Sequence, residues 1–67
     1  MWIEVSRPAL DFILSLGVPV YVGRAVDTAP RLGSPPEQYC VAHTLDEAER
    51  GAKRLKERML RAKAGYA

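Results

Sequence analysis

The sequence predicts an α+β domain, α-β-β-α in order with a further strand available at its start. Its two- or three-stranded antiparallel sheet is expected to pack against a long C-terminal helix. Three observations lead there. Apolar residues pass from a helical period to an alternating one and back along the chain, and a capping box opens the last helical stretch. The chain has only 67 residues, 48% hydrophobic and 27% charged, which suffices for one core and not for two.

Trp2 to Val5 is apolar-rich and short, suited to a strand or an ordered lead-in. Ser6 stands at a helix N-cap position, and Pro8 falls in the first turn, where its missing N–H is harmless. Apolar residues at 9, 10, 12, 13, 14 and 16 and the stop Gly17 predict a first helix over 7–16. Apart from Asp11 and Ser15 that helix is apolar nearly all round, so it must be buried or covered by a partner.

From Val18 to Val26 the period changes to two, with Val18, Val20, Val22 and Val26 on one side and Pro19, Tyr21, Gly23 and Ala25 on the other. Pro19 cannot donate to a ladder and belongs at the start or on an edge. Residues 27–37, with three prolines and a glycine, predict a loop. Gln38 to His43 predicts the next strand, with Tyr39, Val41 and His43 on one face and Cys40 and Ala42 on the other.

Thr44-Leu-Asp-Glu47 matches the capping box, in which the Thr44 hydroxyl accepts from the Glu47 N–H and the Glu47 carboxylate returns to the Thr44 N–H. The helix it opens is predicted over 44–63, acidic at its start and basic at its end as the macrodipole favours. Leu45, Ala48, Ala52, Leu55, Met59, Ala62 and Tyr66 form one narrow seam at alternating spacings of three and four. Packing of this seam on the sheet is expected, with a homodimer zipped through the same helix as the alternative.

Size and composition also bound function. A chain this short buries only about 60% of its unfolded surface, so a staple or a partner is expected. Cys40 is the single cysteine and His43 the single histidine, which rules out an internal disulfide and leaves too few ligands for a four-coordinate zinc site. No metal or cofactor is expected. No apolar run reaches the length of about 18 residues that spans a bilayer, and the N-terminus lacks a secretion pattern, so the expected setting is cytoplasmic, without membrane contact.

Catalytic constellations are missing from the pattern. Cys40 and His43, three apart on a strand, point to opposite faces and make no nucleophile pair. Gly17 and Gly23 bracket a strand without the Lys-Ser/Thr of a phosphate loop, and the carboxylates at 4, 11, 27 and 37 sit on separate elements. An enzyme is not expected.

The charge distribution is more telling. Residues 1–43 carry three basic and four acidic side chains, whereas residues 44–67 carry seven basic and four acidic ones. At 100° per residue Arg50, Arg54, Arg58 and Arg61 stack into one row beside the apolar seam, while Lys53, Lys56 and Lys63 fall on the opposite flank. The competing account is a solvated face in which Asp46–Arg50, Glu49–Lys53 and Glu57–Arg61 pair at i, i+4, each pair worth about 0.2–0.5 kcal/mol. Arginine throughout the row argues for contact, since its planar fork matches carboxylates, phosphates and aromatic faces.

The expected function is therefore a non-enzymatic interaction or regulatory protein, of the kind of a small bacterial or phage-type inhibitor or adaptor. It would mask a protein or nucleoprotein partner with an acidic surface through Arg50, Arg54, Arg58 and Arg61, helped by Arg31 in the Pro-rich loop. The alternative is a small nucleic-acid-binding module. Against that alternative stand a net charge of only +2 and aromatics that are not interleaved with basic residues in the sequence.

Overall fold

Five elements follow one another: β1 (Trp2–Val5), α1 (Arg7–Ser15), β2 (Tyr21–Val26), β3 (Glu37–Ala42) and α2 (Leu45–Ala64). The structure, a computed structural model, describes residues 1–64. Tyr66, the last member of the expected seam, lies outside the described residues.

The strands form one antiparallel sheet in the order β1-β3-β2. The optional first strand is thus real, and it takes the free side of β3: Trp2 lies opposite Ala42 and Val5 opposite Tyr39. On the other side Tyr21 lies opposite Ala42 and Val26 opposite Glu37. β1 and β2 therefore run in the same direction with β3 between them, and α1 carries the chain across. The buried run Tyr39–Ala42 reads as a central strand, apolar on both faces.

Turn chemistry fixes the ends. The Ser6 hydroxyl accepts from the Ala9 N–H at 3.3 Å, and Gly17 takes the left-handed conformation, φ 71°, after α1. β2 begins at Tyr21, three residues later than the alternation alone suggests, because Pro19 breaks the ladder. The loop after β2 is closed at its base by the Asp27 N–H on the Pro36 carbonyl at 2.7 Å. The Asp27 carboxylate also accepts from the Ala29 N–H at 3.0 Å. Half of the capping box forms: the Glu47 N–H donates to the Thr44 hydroxyl at 3.2 Å. The Glu47 carboxylate does not make the expected return bond and is held instead by the Met1 ammonium, which keeps it below the usual carboxylate range.

Cross-strand partners share a face, so the sheet has two distinct sides. Trp2, Gly23, Ala25, Cys40 and Ala42 face α2, and there Cys40 is 0% and Leu55 1% exposed. The α2 seam is buried as expected through Ala48, Leu55 and Met59, while its members near the two ends, Leu45 and Ala62, are exposed. Two glycines permit this contact. A Cβ on Gly23 would stand 2.4 Å from the Ala48 carbonyl, and one on Gly51 would stand 2.5 Å from the Cys40 sulfur and 2.8 Å from the Trp2 ring. The helix can approach the sheet so closely only because neither position carries a side chain.

On the other side Leu10 and Ile13 of α1 pack on Tyr39, Val41, Val5 and Val20. The first helix is not buried all round: Leu10 is its one buried residue, and Phe12, Leu14 and Leu16 face solvent.

Candidate interaction surface: an arginine flank beside Trp2

Trp2 is half-buried on the α2 face, where it packs against the cluster of Cys40, Leu55 and Met59. Its position follows from the β1–β3 register, and its closeness to the helix follows from Gly51. Beside it, Arg54, Leu55, Glu57, Arg58 and Arg61 complete a shallow groove of about 250 Å³. Three arginines thus line one groove with Trp2, and the Glu57 carboxylate lines it too. This is the arrangement the sequence pattern does not display, because Trp2 and the row are about fifty positions apart.

The members of the row differ in what they do. Arg58 donates to the Glu4 carboxylate and to the Gln38 side-chain oxygen, each at 2.7 Å, and so ties α2 to β1 and β3. Arg54 has a loose partner in Glu57 at 3.8 Å. Among the described residues Arg50 and Arg61 make no ion pair or hydrogen bond. The three expected i, i+4 pairs on α2 do not form; the side-chain ion pair within that helix is Arg54–Glu57, at i, i+3. Arg31 does not join the row. Its guanidinium donates to the Lys63 carbonyl at 2.9 Å, at the last described turn of α2.

On the opposite flank of α2 two of the three lysines are engaged by the fold, and Lys53 is exposed. Lys56 donates to the Val26 carbonyl, and Lys63 bonds the Asp27 carboxylate at 2.5 Å and the Ala29 carbonyl at 2.6 Å. The Lys63 ammonium holds the Asp27 carboxyl below its usual range. Lysines on this side anchor the β2 end and the loop, while the arginines on the Trp2 side, Arg58 excepted, remain directed outward.

A second polar cluster lies on the α1 face. Arg7 donates to the Tyr39 hydroxyl at 3.1 Å with its guanidinium carbon 5.6 Å from the ring centre, and Tyr39 donates to Glu37, which also meets Arg24. The Tyr39 hydroxyl, then Arg24, hold Glu37 below the usual carboxylate range. Each group in this chain has its partner inside the molecule.

Cys40 faces α2, with its thiol donating to the Ala48 carbonyl at 3.5 Å, whereas His43 follows β3 and is exposed. Burial pushes the Cys40 thiol up, away from thiolate chemistry. Among the described residues no group of three or more His, Cys, Asp or Glu side chains is placed to hold a metal ion. Nor is any described helix long and apolar enough to cross a membrane.

No family model, curated protein or solved structure matches the chain. Its site stands on geometry alone.

Proposed function

We propose that the protein is a non-enzymatic interaction protein that binds an acidic patch on a macromolecular partner with the Trp2–arginine flank of α2 and masks it, in the manner of a small inhibitor or adaptor. The observation that carries this reading is the groove in which Arg54, Arg58 and Arg61 border Trp2. A guanidinium fork beside an aromatic ring is the pairing that recurs at the centre of protein interfaces, where arginine and tryptophan supply most of the binding energy. Arg50 and Arg61 supply outward donors for carboxylates, and Arg58, itself held by Glu4, presents a rigid edge. Lys56 and Lys63 are engaged by the fold, so the two flanks of α2 differ in how many of their cations point outward. A cytoplasmic setting suits a chain whose one thiol is buried and unpaired.

A second reading, nucleic-acid binding, draws support from the same ring: a base can stack on Trp2 while the arginines meet phosphate. Trp2 is the single tryptophan, so its emission reports on the groove directly. Titration with a Glu-rich peptide is expected to change that emission saturably, and the combined variant Arg50→Gln, Arg54→Gln, Arg61→Gln is expected to abolish the response with the helix content unchanged. A response to a single-stranded oligonucleotide alone, with affinity falling steeply as salt rises, selects the second reading. No response to either probe removes both.

A further inference from the structure

We infer that the partner engages this protein as an extended acidic strand, which adds to the free edge of β1 and turns alternate carboxylates onto the arginine flank. This inference rests on the proposed interaction surface and names the form its partner takes. Register decides which backbone groups are free. The Asp27 N–H donates to the Pro36 carbonyl, so the hydrogen-bonded pairs between β2 and β3 fall at Ala25–Gln38, Gly23–Cys40 and Tyr21–Ala42. Val41 and Tyr39 consequently turn their backbone groups toward Ile3 and Val5 of β1. The N–H and C=O groups of Trp2 and Glu4 then point away from the sheet, and among the described residues no hydrogen bond is made to them. The β2 edge, by contrast, is guarded at both ends. Its outward groups belong by the same alternation to Val22, Arg24 and Val26, where Lys56 takes the Val26 carbonyl and Pro19 stands just ahead of the strand.

Faces and charge select the occupant. In an antiparallel addition the residues opposite Trp2 and Glu4 share their face of the sheet, which is the face that α2 covers. Their side chains come down beside the groove of Arg54, Arg58, Arg61 and Glu57. Each carboxylate already at this edge is held: Glu4 by Arg58 at 2.7 Å, Glu57 by Arg54 at 3.8 Å, and Glu47 by the Met1 ammonium. Arg50 and Arg61 make no ion pair among the described residues, so the flank keeps a cationic excess for incoming carboxylates. The intervening residues of the added strand turn to the other face, beside Ile3 on a margin that is apolar apart from His43 and the chain terminus. Apolar side chains suit those positions. A second copy of this chain fits poorly, because β1 added to β1 about a twofold axis sets two arginine flanks side by side on one face. The occupant is therefore a polypeptide segment in which acidic and apolar residues alternate.

Titration of the full chain with an acetylated peptide that alternates Glu and Val tests the inference, read by Trp2 emission and by hydrogen exchange of the backbone amides. The Trp2 and Glu4 amides are expected to become protected in the complex. Methyl groups on the Glu nitrogens remove the donors that face β1 and are expected to weaken binding at least about tenfold, whereas methyl groups on the Val nitrogens, which face away, are expected to change it by less than about threefold. Amides of Trp2 and Glu4 that exchange as in the free chain overturn the strand pairing. So does an affinity indifferent to which nitrogens are methylated. In either case a peptide that still binds leaves the arginine flank standing as a docking surface, while a chain that responds to no acidic peptide, or to an oligonucleotide alone, overturns both.

Discussion

The two faces of the sheet are built to different standards. On the α2 side a twenty-residue helix settles between two glycines onto a bed of alanine and cysteine, and the contact is sealed: Cys40, Leu55 and Ala48 are buried. On the α1 side a nine-residue helix covers the centre through two residues and leaves Ile3, Phe12, Leu16 and Val22 in solvent. In so small a domain one face supplies the stability and the other is left available. The sealed face, because its helix is rigidly seated, also fixes where the outward arginines and Trp2 stand.

The largest expected effect separates the faces by stability. Leu55→Ala opens a hole in the sealed core and should cost about 2–5 kcal/mol in denaturant unfolding. Phe12→Ala should change stability by no more than about 0.5 kcal/mol. Comparable losses at the two positions erase the distinction.

Close approach of α2 gives the next test. Gly23→Ala places a methyl group against the Ala48 carbonyl, a backbone atom that cannot swing aside, and should destabilise by about 1–3 kcal/mol. Gly51→Ala meets the Cys40 sulfur and the root of the Trp2 ring, side-chain atoms only, and gains about 1 kcal/mol of helix propensity, so its loss should be smaller. The reverse ranking, read from thermal or denaturant melts, contradicts the close seating described here.

How much of this was legible in the sequence follows from the range of each interaction. The middle of the α2 seam through Ala48, Leu55 and Met59, and the alternation of β2 from Tyr21 and of β3 as far as Ala42, rest on local periodicity, and these stand. The strand at Trp2–Val5 remained open because four residues carry no period of their own; pairing with β3 decides it. The Glu4–Arg58 tie and the place of Trp2 beside the row depend on that same register and are invisible locally. Gly51, set in a helix just beside the arginine row, was the one available hint that something large approaches there. The i, i+4 pairs do not form because long exposed side chains on a helix gain little by pairing, and Glu57 meets Arg54 instead. Arg31 was grouped with the row on charge alone, and the loop places it at the end of α2 instead.

Smaller still are the acid-sensitive contacts that hold the loop, the β2 end and the start of α2. Asp27, Glu37 and Glu47 all lie below their usual carboxylate range, held by Lys63, by Tyr39 and Arg24, and by the Met1 ammonium. A carboxylate depressed in the folded state stabilises at neutral pH, and its contribution is lost as pH falls below the unfolded value through the folded one. Stability should therefore decline on acidification below the ordinary carboxylate range. Lys63→Met should bring the Asp27 titration, followed by side-chain carboxyl resonances, back toward its usual position. An Asp27 curve that does not move removes Lys63 as the cause.

The division of labour between the faces is tested most directly by mapping amide and indole resonances of the full chain as a Glu-rich peptide is added. The Trp2 indole N–H and the backbone amides of 54–61 are expected to shift together and saturably, while those of Phe12 and Leu16 stay in place. Shifts centred on α1, or none anywhere, contradict the assignment of the charged docking surface to the arginine flank.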